Sequence, residues 1–319
     1  MKRDQFSEIL ENLPELTFEQ RKQLLERLEA GDIHHQIRAV LEGGVKQCPH
    51  CDSDDYGRWG KSHGLPRYRC RSCCRTFNPL TNTPLARLRL KERWLDFVKA
   101  LLDGESVRKS AVTCGVHKST TFRWRHRFLK LPAELKSRVL SGIAEADETF
   151  LLRSRKGQRK LDRPARKRGG KAKKPGRSGE HACILVVRDR AGNTVDHVSQ
   201  GFDKEIIAQA LNPVLAKDVI LCSDSLPSYK AFCREHGVAH KPINMSEGIR
   251  VVEEVFHIQN VNGYHSRFKG WLRRFNGVAT RYLPSYLGWF RWLDQNRSSH
   301  SVKALFTLSA GVNQQVMVT

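Results

Sequence analysis

The sequence predicts a multidomain chain in which N-terminal helices, a four-cysteine ribbon and a helix-turn-helix precede an α/β domain. Three observations predict it. Two Cys-x2-Cys pairs separated by eighteen residues occupy 48–73. Helical apolar spacing resumes from about 90 to 130. From about 142, short strand-like apolar runs begin and then alternate with helical segments. A chain of 319 residues is long enough for two or three domains and at least one sizeable core.

The formal charge is +23, from 56 basic and 33 acidic side chains, with a sequence pI near 10.0. That balance points to a polyanionic partner, with salt-sensitive binding through counterion release. An acidic protein or an anionic membrane would answer the same charge, but nucleic acid answers it best. No apolar run approaches the ~20 residues that span a bilayer, and the first residues lack the apolar stretch of a signal peptide. Nine cysteines, four clustered and five scattered, suit a reducing compartment and a metal site better than a disulfide framework. The expected location is therefore the cytoplasm, in association with the nucleoid, with no membrane partner.

Residues 1–44 read as an N-terminal helical segment. Thr17 and Gln20 have capping-box spacing ahead of Phe18, Leu24, Leu25 and Leu28, and Gly43-Gly44 closes the segment. Residues 45–80 hold Cys48, Cys51, Cys70 and Cys73. Two residues between thiolates let one tight turn present both sulfurs to an ion, and two such turns complete a tetrahedron around a structural Zn²⁺. Trp59, Gly60, Gly64 and Tyr68 suit a β-hairpin between the knuckles, and His50 and Cys74 read as bystanders. The ribbon's arginines fit either a nucleic-acid-facing module or a purely structural one.

Residues 85–140 contain the helix-turn-helix. A helix over 106–113, a turn at Cys114-Gly115-Val116 and a second helix over 118–129 have the required spacing. Ala111 lies four residues before Gly115, Val116 and Trp124 are expected to face the core, and a short further helix is expected at 133–140. The second helix offers Lys118, Ser119, Thr120, Arg123, Arg125 and Arg127 to a DNA groove, or else a solvated basic surface.

Residues 141–300 form the α/β domain, followed by a tail at 301–319. Strands are expected at 143–152, 182–188, 194–199 and 219–222, with helices at 203–211, 226–236, 258–276 and 284–296. Three successive strands followed by alternation is the order of a ribonuclease-H-like domain. Between its first two strands lies a basic loop, 153–180. Over 153–177 it carries thirteen Lys or Arg and a single acid, Asp162. Lys167 and Arg168 in it are candidate phosphate contacts; the loop reads equally as a solvated charge run.

Asp147 sits inside the first strand, where a carboxylate is costly to bury without a metal or partner. Asp224 follows the 219–222 strand, at the carboxyl end where an α/β sheet places its ligands. Two such acids can bridge a pair of Mg²⁺ ions, and each alone also reads as a paired structural acid or a helix N-cap. Glu148 is expected on the opposite face from Asp147. On the 258–276 helix, Asn262, Ser266, Lys269 and Arg273 share a polar stripe beside an apolar face of Val261, Tyr264, Phe268, Leu272 and Phe275. That stripe points Asn262 toward the metals and Lys269 toward a phosphate, or else faces solvent.

The motifs CPHC…CRSC, ADET, CSDS and HIQNVNGYHSRFKGW, in that order, resemble bacterial insertion-sequence transposases of the DDE superfamily, in the group with an N-terminal zinc ribbon. The resemblance covers roughly 15–296. It implies a ribonuclease-H-like catalytic domain that nicks the terminal inverted repeats of an element and joins the freed 3′-hydroxyl to target DNA, with Mg²⁺ or Mn²⁺. It makes Asp147 and Asp224 the first two metal-binding acids, places the third position on Asn262 and the family lysine on Lys269, and matches His257 to a family position. Glutamate is usual where Asn262 stands, although some members of the group carry asparagine. Its carbonyl can ligate Mg²⁺ without adding charge, which Glu148, Glu253 or Glu254 would have to supply. The implied partners are double-stranded DNA, as element ends and target, and further copies of the chain. A non-catalytic DNA-binding regulator derived from a transposase is the alternative that Asn262 keeps open, and a nuclease or resolvase without strand transfer is a third.

Overall fold

The computed structural model describes residues 3–137, 139–161, 164–166, 169–173 and 178–311. The chain forms two compact units, Met1–Phe128 with His300–Thr319, and Leu129–Ser299.

The first unit opens with α1 (Arg3–Asn12) and α2 (Phe18–Gly43). The capping box is complete: the Gln20 amide donates to Thr17 Oγ1 at 3.3 Å and the Thr17 amide to Gln20 Oε1 at 2.9 Å. Strands β1 (Tyr56–Ser62), β2 (Leu65–Cys70) and β3 (Thr76–Phe77) make an antiparallel sheet. Its small core is the aromatic trio Tyr56, Tyr68 and Phe77, with centroids 5.4–5.5 Å apart. Helices α3 (Trp94–Leu102), α4 (Val107–Thr113) and α5 (Lys118–Phe128) pack around Phe97, Trp124 and Phe128. Gly115 makes the α4–α5 turn with φ +61°, a left-handed conformation that strains a β-carbon.

The expected tail at 301–319 holds a further helix, α11 (Val302–Ala310), between an N-cap at Ser301 and a left-handed Gly311. It packs on α2, α3 and α5, bringing Phe306 against Trp94 and Phe128.

In the second unit, α6 (Lys130–Glu134) replaces the helix expected at 133–140. Pro132 lies within its first turn, where no amide donor is required, so the helix starts ahead of the proline, at Lys130. Arg291 donates to the carbonyls of Pro132 and Leu135, both at 2.9 Å, and pairs with the buried Asp196.

The sheet of this unit runs β4 (Ile143–Leu152), β5 (His181–Asp189), β6 (Thr194–Ser199), β7 (Ile220–Asp224) and β8 (Ala239–Ile243), in spatial order β6-β5-β4-β7-β8. β4, β5 and β6 are antiparallel neighbours, while β7 and β8 run parallel to β4. That mixed order is the ribonuclease-H-like arrangement. β8 has no counterpart in the sequence expectation because Lys241 and Pro242 hide it, and an edge strand tolerates both.

Helices α7 (Lys204–Leu211) and α8 (Pro227–His236) cover one face, sharing a core with Ala144, Ala146, Leu185, Val187 and Leu221. On the other face lies α9 (Gln259–Arg273), which packs against β4 and β5. Tyr264, Phe268 and Trp271 of α9 pack edge-on or tilted against Trp289 and Phe290 of α10 (Leu283–Gln295). Among the described residues, no helix is long and apolar enough to cross a membrane.

Candidate active site, metal knuckles and DNA-facing helix

The last paired register between β4 and β7 is Ala146 with Ser223. Asp147 and Asp224 are the next residues on each strand, so both acids stand where the two strands part. β4 continues to Leu152 while β7 ends at Asp224, which opens a gap beside Asp147 and Glu148. One carboxylate oxygen from each of Asp147, Glu148 and Asp224 lies within 4.8 Å of the others.

Strand alternation still holds on β4. Asp147 faces α9, where His265 Nδ1 is 3.2 Å from its Oδ2, and Glu148 faces α8, where the Tyr229 hydroxyl donates to Oε2 at 3.2 Å. Both side chains nonetheless reach the same gap, so the expectation that separated Glu148 from Asp147 by face holds for their helical partners and not for their carboxylates. Tyr229 is wholly buried. Burial, and then the charges of Glu148, Asp147 and Asp224, hold its hydroxyl well above the usual range, so it remains a neutral donor. Asp224 Oδ1 accepts the Leu226 amide at 3.3 Å, and Leu226, not Asp224, is the N-cap residue of α8.

Asn262 and Lys269 are exposed on α9. Asn262 lies one turn before His265, the α9 residue that meets Asp147. His257 meets the acid Glu145, with Nδ1 3.3 Å from its Oε1, and Arg190 bonds both groups. Glu253 is held by Lys241 at 2.5 Å, and neither it nor Glu254 joins the acidic gap.

Two residues escaped the sequence reading. His265 lies among the buried α9 positions Val261, Tyr264 and Phe268, spaced i, i+3, i+4 and i+7, and a polar residue in that stripe was the available signal. Glu145 shares the Asp147 face of β4 and is fully buried. A charge two positions before Asp147, on the same face of the strand, was its only mark.

The four thiols of the ribbon form one cage. Cys48 and Cys73 Sγ are 3.6 Å apart, as are Cys51 and Cys70, and all four lie within 4.8 Å of one another. A tetrahedral zinc with bonds of ~2.3 Å requires edges of about 3.8 Å, so the cage fits that ion. The Cys73 amide points at Cys70 Sγ from 3.5 Å, and that bond pulls the Cys70 thiol down to about 6, toward the thiolate a metal needs. Cys74 is exposed and turns its sulfur to the Arg71 carbonyl, outside the cage.

On α5 the structure divides the candidate DNA contacts. Lys118, Ser119 and Arg123 are exposed and Thr120 is half-buried. Arg125 is only 1% exposed and donates to the Glu105 carbonyl at 2.7 Å and to Ser110 Oγ at 3.2 Å. Arg127 donates to the carbonyls of Pro84 and Ala86. The expectation that these two arginines face DNA is thereby corrected: Arg125 lies in the stripe Thr121, Trp124, Arg125 and Phe128 that packs on the core, and Arg127 braces the 84–86 segment.

Lys167 and Arg168 lie outside the described residues. The root of their loop is stitched to the sheet through Arg153, which donates to the His181 and Gln200 carbonyls at 3.0 Å. Lys156 donates to the carbonyls of Asn276 and Gly277, while Arg159, Lys160 and Lys171 are exposed.

Residues 139–293 match the ISXO2-like transposase domain, and residues 87–131 match a homeodomain-like domain. Fold and family match together define the class as DDE-superfamily transposases. Over 275 residues the chain is 26% identical to an uncharacterized protein in transposable element ISH50 of Halobacterium salinarum, covering 85% of this chain and 91% of that one. Residues 139–293 are thus an ISXO2-like domain of the kind found in insertion-sequence transposases of this superfamily.

Similarity to solved structures is slight. The simian T-cell lymphotropic virus intasome in complex with the PP2A regulatory subunit B56 gamma overlaps with a TM-score of 0.23 at 11% identity, over 57% of this chain and about half, 51%, of that one. The pre-cleavage Mos1 transpososome overlaps with a TM-score of 0.20 at 13% identity, over 67% of this chain and 78% of that one.

Proposed function

We propose that the chain binds the terminal inverted repeats of an insertion sequence and catalyses metal-dependent DNA cleavage and strand transfer. The observation that carries this reading is the gap between β4 and β7, where Asp147 and Asp224 converge with Glu148. Three carboxylates within 4.8 Å repel one another unless a cation lies among them, and oxygen-only donors suit Mg²⁺ or Mn²⁺. Bound there, a divalent pair would supply activation of the attacking oxygen and stabilisation of the leaving oxygen in phosphodiester displacement.

The chain's own groups prepare the site. His265 orients Asp147, and Tyr229, kept neutral by burial, orients Glu148. Asn262 offers a neutral carbonyl oxygen from the helix that meets Asp147, and Lys269, two turns on, offers a charge to a DNA phosphate. Lys118, Ser119, Thr120 and Arg123 present the outer face of α5 to the major groove. The exposed cations of the basic loop, with Lys167 and Arg168, add affinity through phosphates without reading sequence. The four thiols would hold a structural zinc, with every ligand supplied by the protein. Joining two element ends calls for at least two copies of the chain on DNA, in the cytoplasm where the nucleoid lies.

The test is a cleavage and joining assay on DNA carrying the inverted repeats that flank the chain's own coding sequence. Nicked ends and joined products should form with Mg²⁺ or Mn²⁺ and vanish with EDTA. Binding without either product at any metal concentration would favour the regulator that the neutral Asn262 leaves open.

A further inference from the structure

Glu145 has no side-chain exposure, yet its carboxylate is crowded with donors. Oε2 accepts the backbone amides of Asn260 at 2.7 Å and Val261 at 3.1 Å, and Oε1 accepts the Asn260 side-chain amide at 2.8 Å. Arg190 Nη1 lies 2.9 Å from the same carboxylate and His257 Nδ1 3.3 Å. Two of these donors are first-turn amides of α9, which have no partner within the helix. A charge buried this deeply is tolerated because it is fully bonded, and it ties the start of α9 to one point on β4.

A second tie lies two residues along the strand, where Asp147 meets His265. Glu145 and Asp147 share a face, about 7 Å apart along β4. The α9 residues they hold, 260–261 and 265, are four to five positions apart, roughly 6–7.5 Å of helix. The two spacings match, so the ties fix both the direction and the register of α9 on β4. Asn262 falls between them.

We infer that Glu145 is a positioning residue for the metal site: it sets the register of α9 on β4 and so places Asn262 beside Asp147. The inference rests on the proposed reading of Asp147, Asp224 and Asn262 as the metal-binding set. It assigns Glu145 no contact with DNA or metal. It also gives His257 and Arg190 a role, as the side chains that hold the Glu145 carboxylate in place.

The test is a double-mutant cycle on Mn²⁺ affinity, read by the electron paramagnetic resonance of free Mn²⁺ on the full-length protein without DNA, so that no turnover is involved. Partners that orient metal ligands change affinity by about 10- to 100-fold when removed. Glu145→Ala should weaken Mn²⁺ binding by about 10-fold, and Asn262→Ala by a similar factor. The double variant should bind within about 2-fold of Asn262→Ala alone, because the loss passes through Asn262. Hydrogen exchange at the Asn260 and Val261 amides should quicken in Glu145→Ala and not in Asn262→Ala.

If Glu145→Ala does not fold, Glu145→Gln, which keeps an acceptor oxygen for those amides, is carried through the same cycle with a loss of about 3-fold expected. Unchanged Mn²⁺ affinity in the Glu145 variant, or a loss that adds in full on the Asn262→Ala background, overturns the inference. Unchanged affinity in Asp147→Asn and Asp224→Asn as well places the failure in the metal-site reading itself.

Discussion

Asp224→Asn isolates the electrostatic cost of the acidic gap, because it removes one charge while keeping an oxygen for the Leu226 amide. Two unit charges about 5 Å apart at an effective dielectric near 20 repel by about 3 kcal/mol. Asp147 has 20% of its side chain exposed, and His265 and Tyr229 oppose the repulsion, so the net relief per removed charge is roughly 1–2 kcal/mol. For a unit the size of Leu129–Ser299, each kcal/mol moves Tm by about 2–4 °C. In EDTA, Asp224→Asn should therefore melt about 2–8 °C above the wild type. With Mg²⁺ at about 100 times its Kd the order reverses: the wild type gains about 2.7 kcal/mol by linkage and the variant gains almost nothing. Differential scanning calorimetry with and without Mg²⁺ reads both effects. A variant that melts below the wild type in EDTA, and rises equally with Mg²⁺, refutes the reasoning.

The remaining predictions address other parts of the chain. The purified protein should carry one zinc per chain by elemental analysis, and Cys48→Ser should lose the metal and the folded ribbon with it; a ribbon that stays folded without zinc contradicts the cage. Arg123→Ala should weaken DNA binding and lower its salt slope in fluorescence anisotropy without moving Tm. Arg125→Ala should cost about 2–4 kcal/mol by thermal melting, since it empties a buried site and strands the Glu105 carbonyl. A β-carbon at Gly288 would meet the backbone of Pro132 and Ala133 well inside van der Waals contact, so Gly288→Ala should destabilise the second unit by about 3 kcal/mol in urea unfolding.

Features with a local cause were legible in the sequence. The Thr17–Gln20 box, the two cysteine knuckles and the 143–152 strand each depend on residues near one another in the chain, and each appears as expected. Features set by distant partners were not. Basic spacing on α5 could not separate Arg123, which faces out, from Arg125, which faces the core, although the wheel of Thr121, Trp124 and Phe128 held the answer. β8 exists because β7 offers it an edge, against the preference of Lys241 and Pro242. α11 had visible caps in Ser301 and Gly311, but its partners lie more than 170 residues away in sequence. The same holds for the site: Asp147 and Asp224 followed from strand order, while Glu145 on β4 and His265 on α9 each draw their meaning from a partner more than a hundred residues away.

The central claim is that Asp147 and Asp224 carry the chemistry while α5 and the basic loop carry the DNA. It is tested most directly by measuring binding and cleavage together, on DNA bearing the flanking inverted repeats, for wild type, Asp147→Asn and Asp224→Asn. Both variants should bind the repeats with wild-type affinity and yield no nicked or joined product in Mg²⁺. Cleavage at the wild-type rate by either variant would contradict the account.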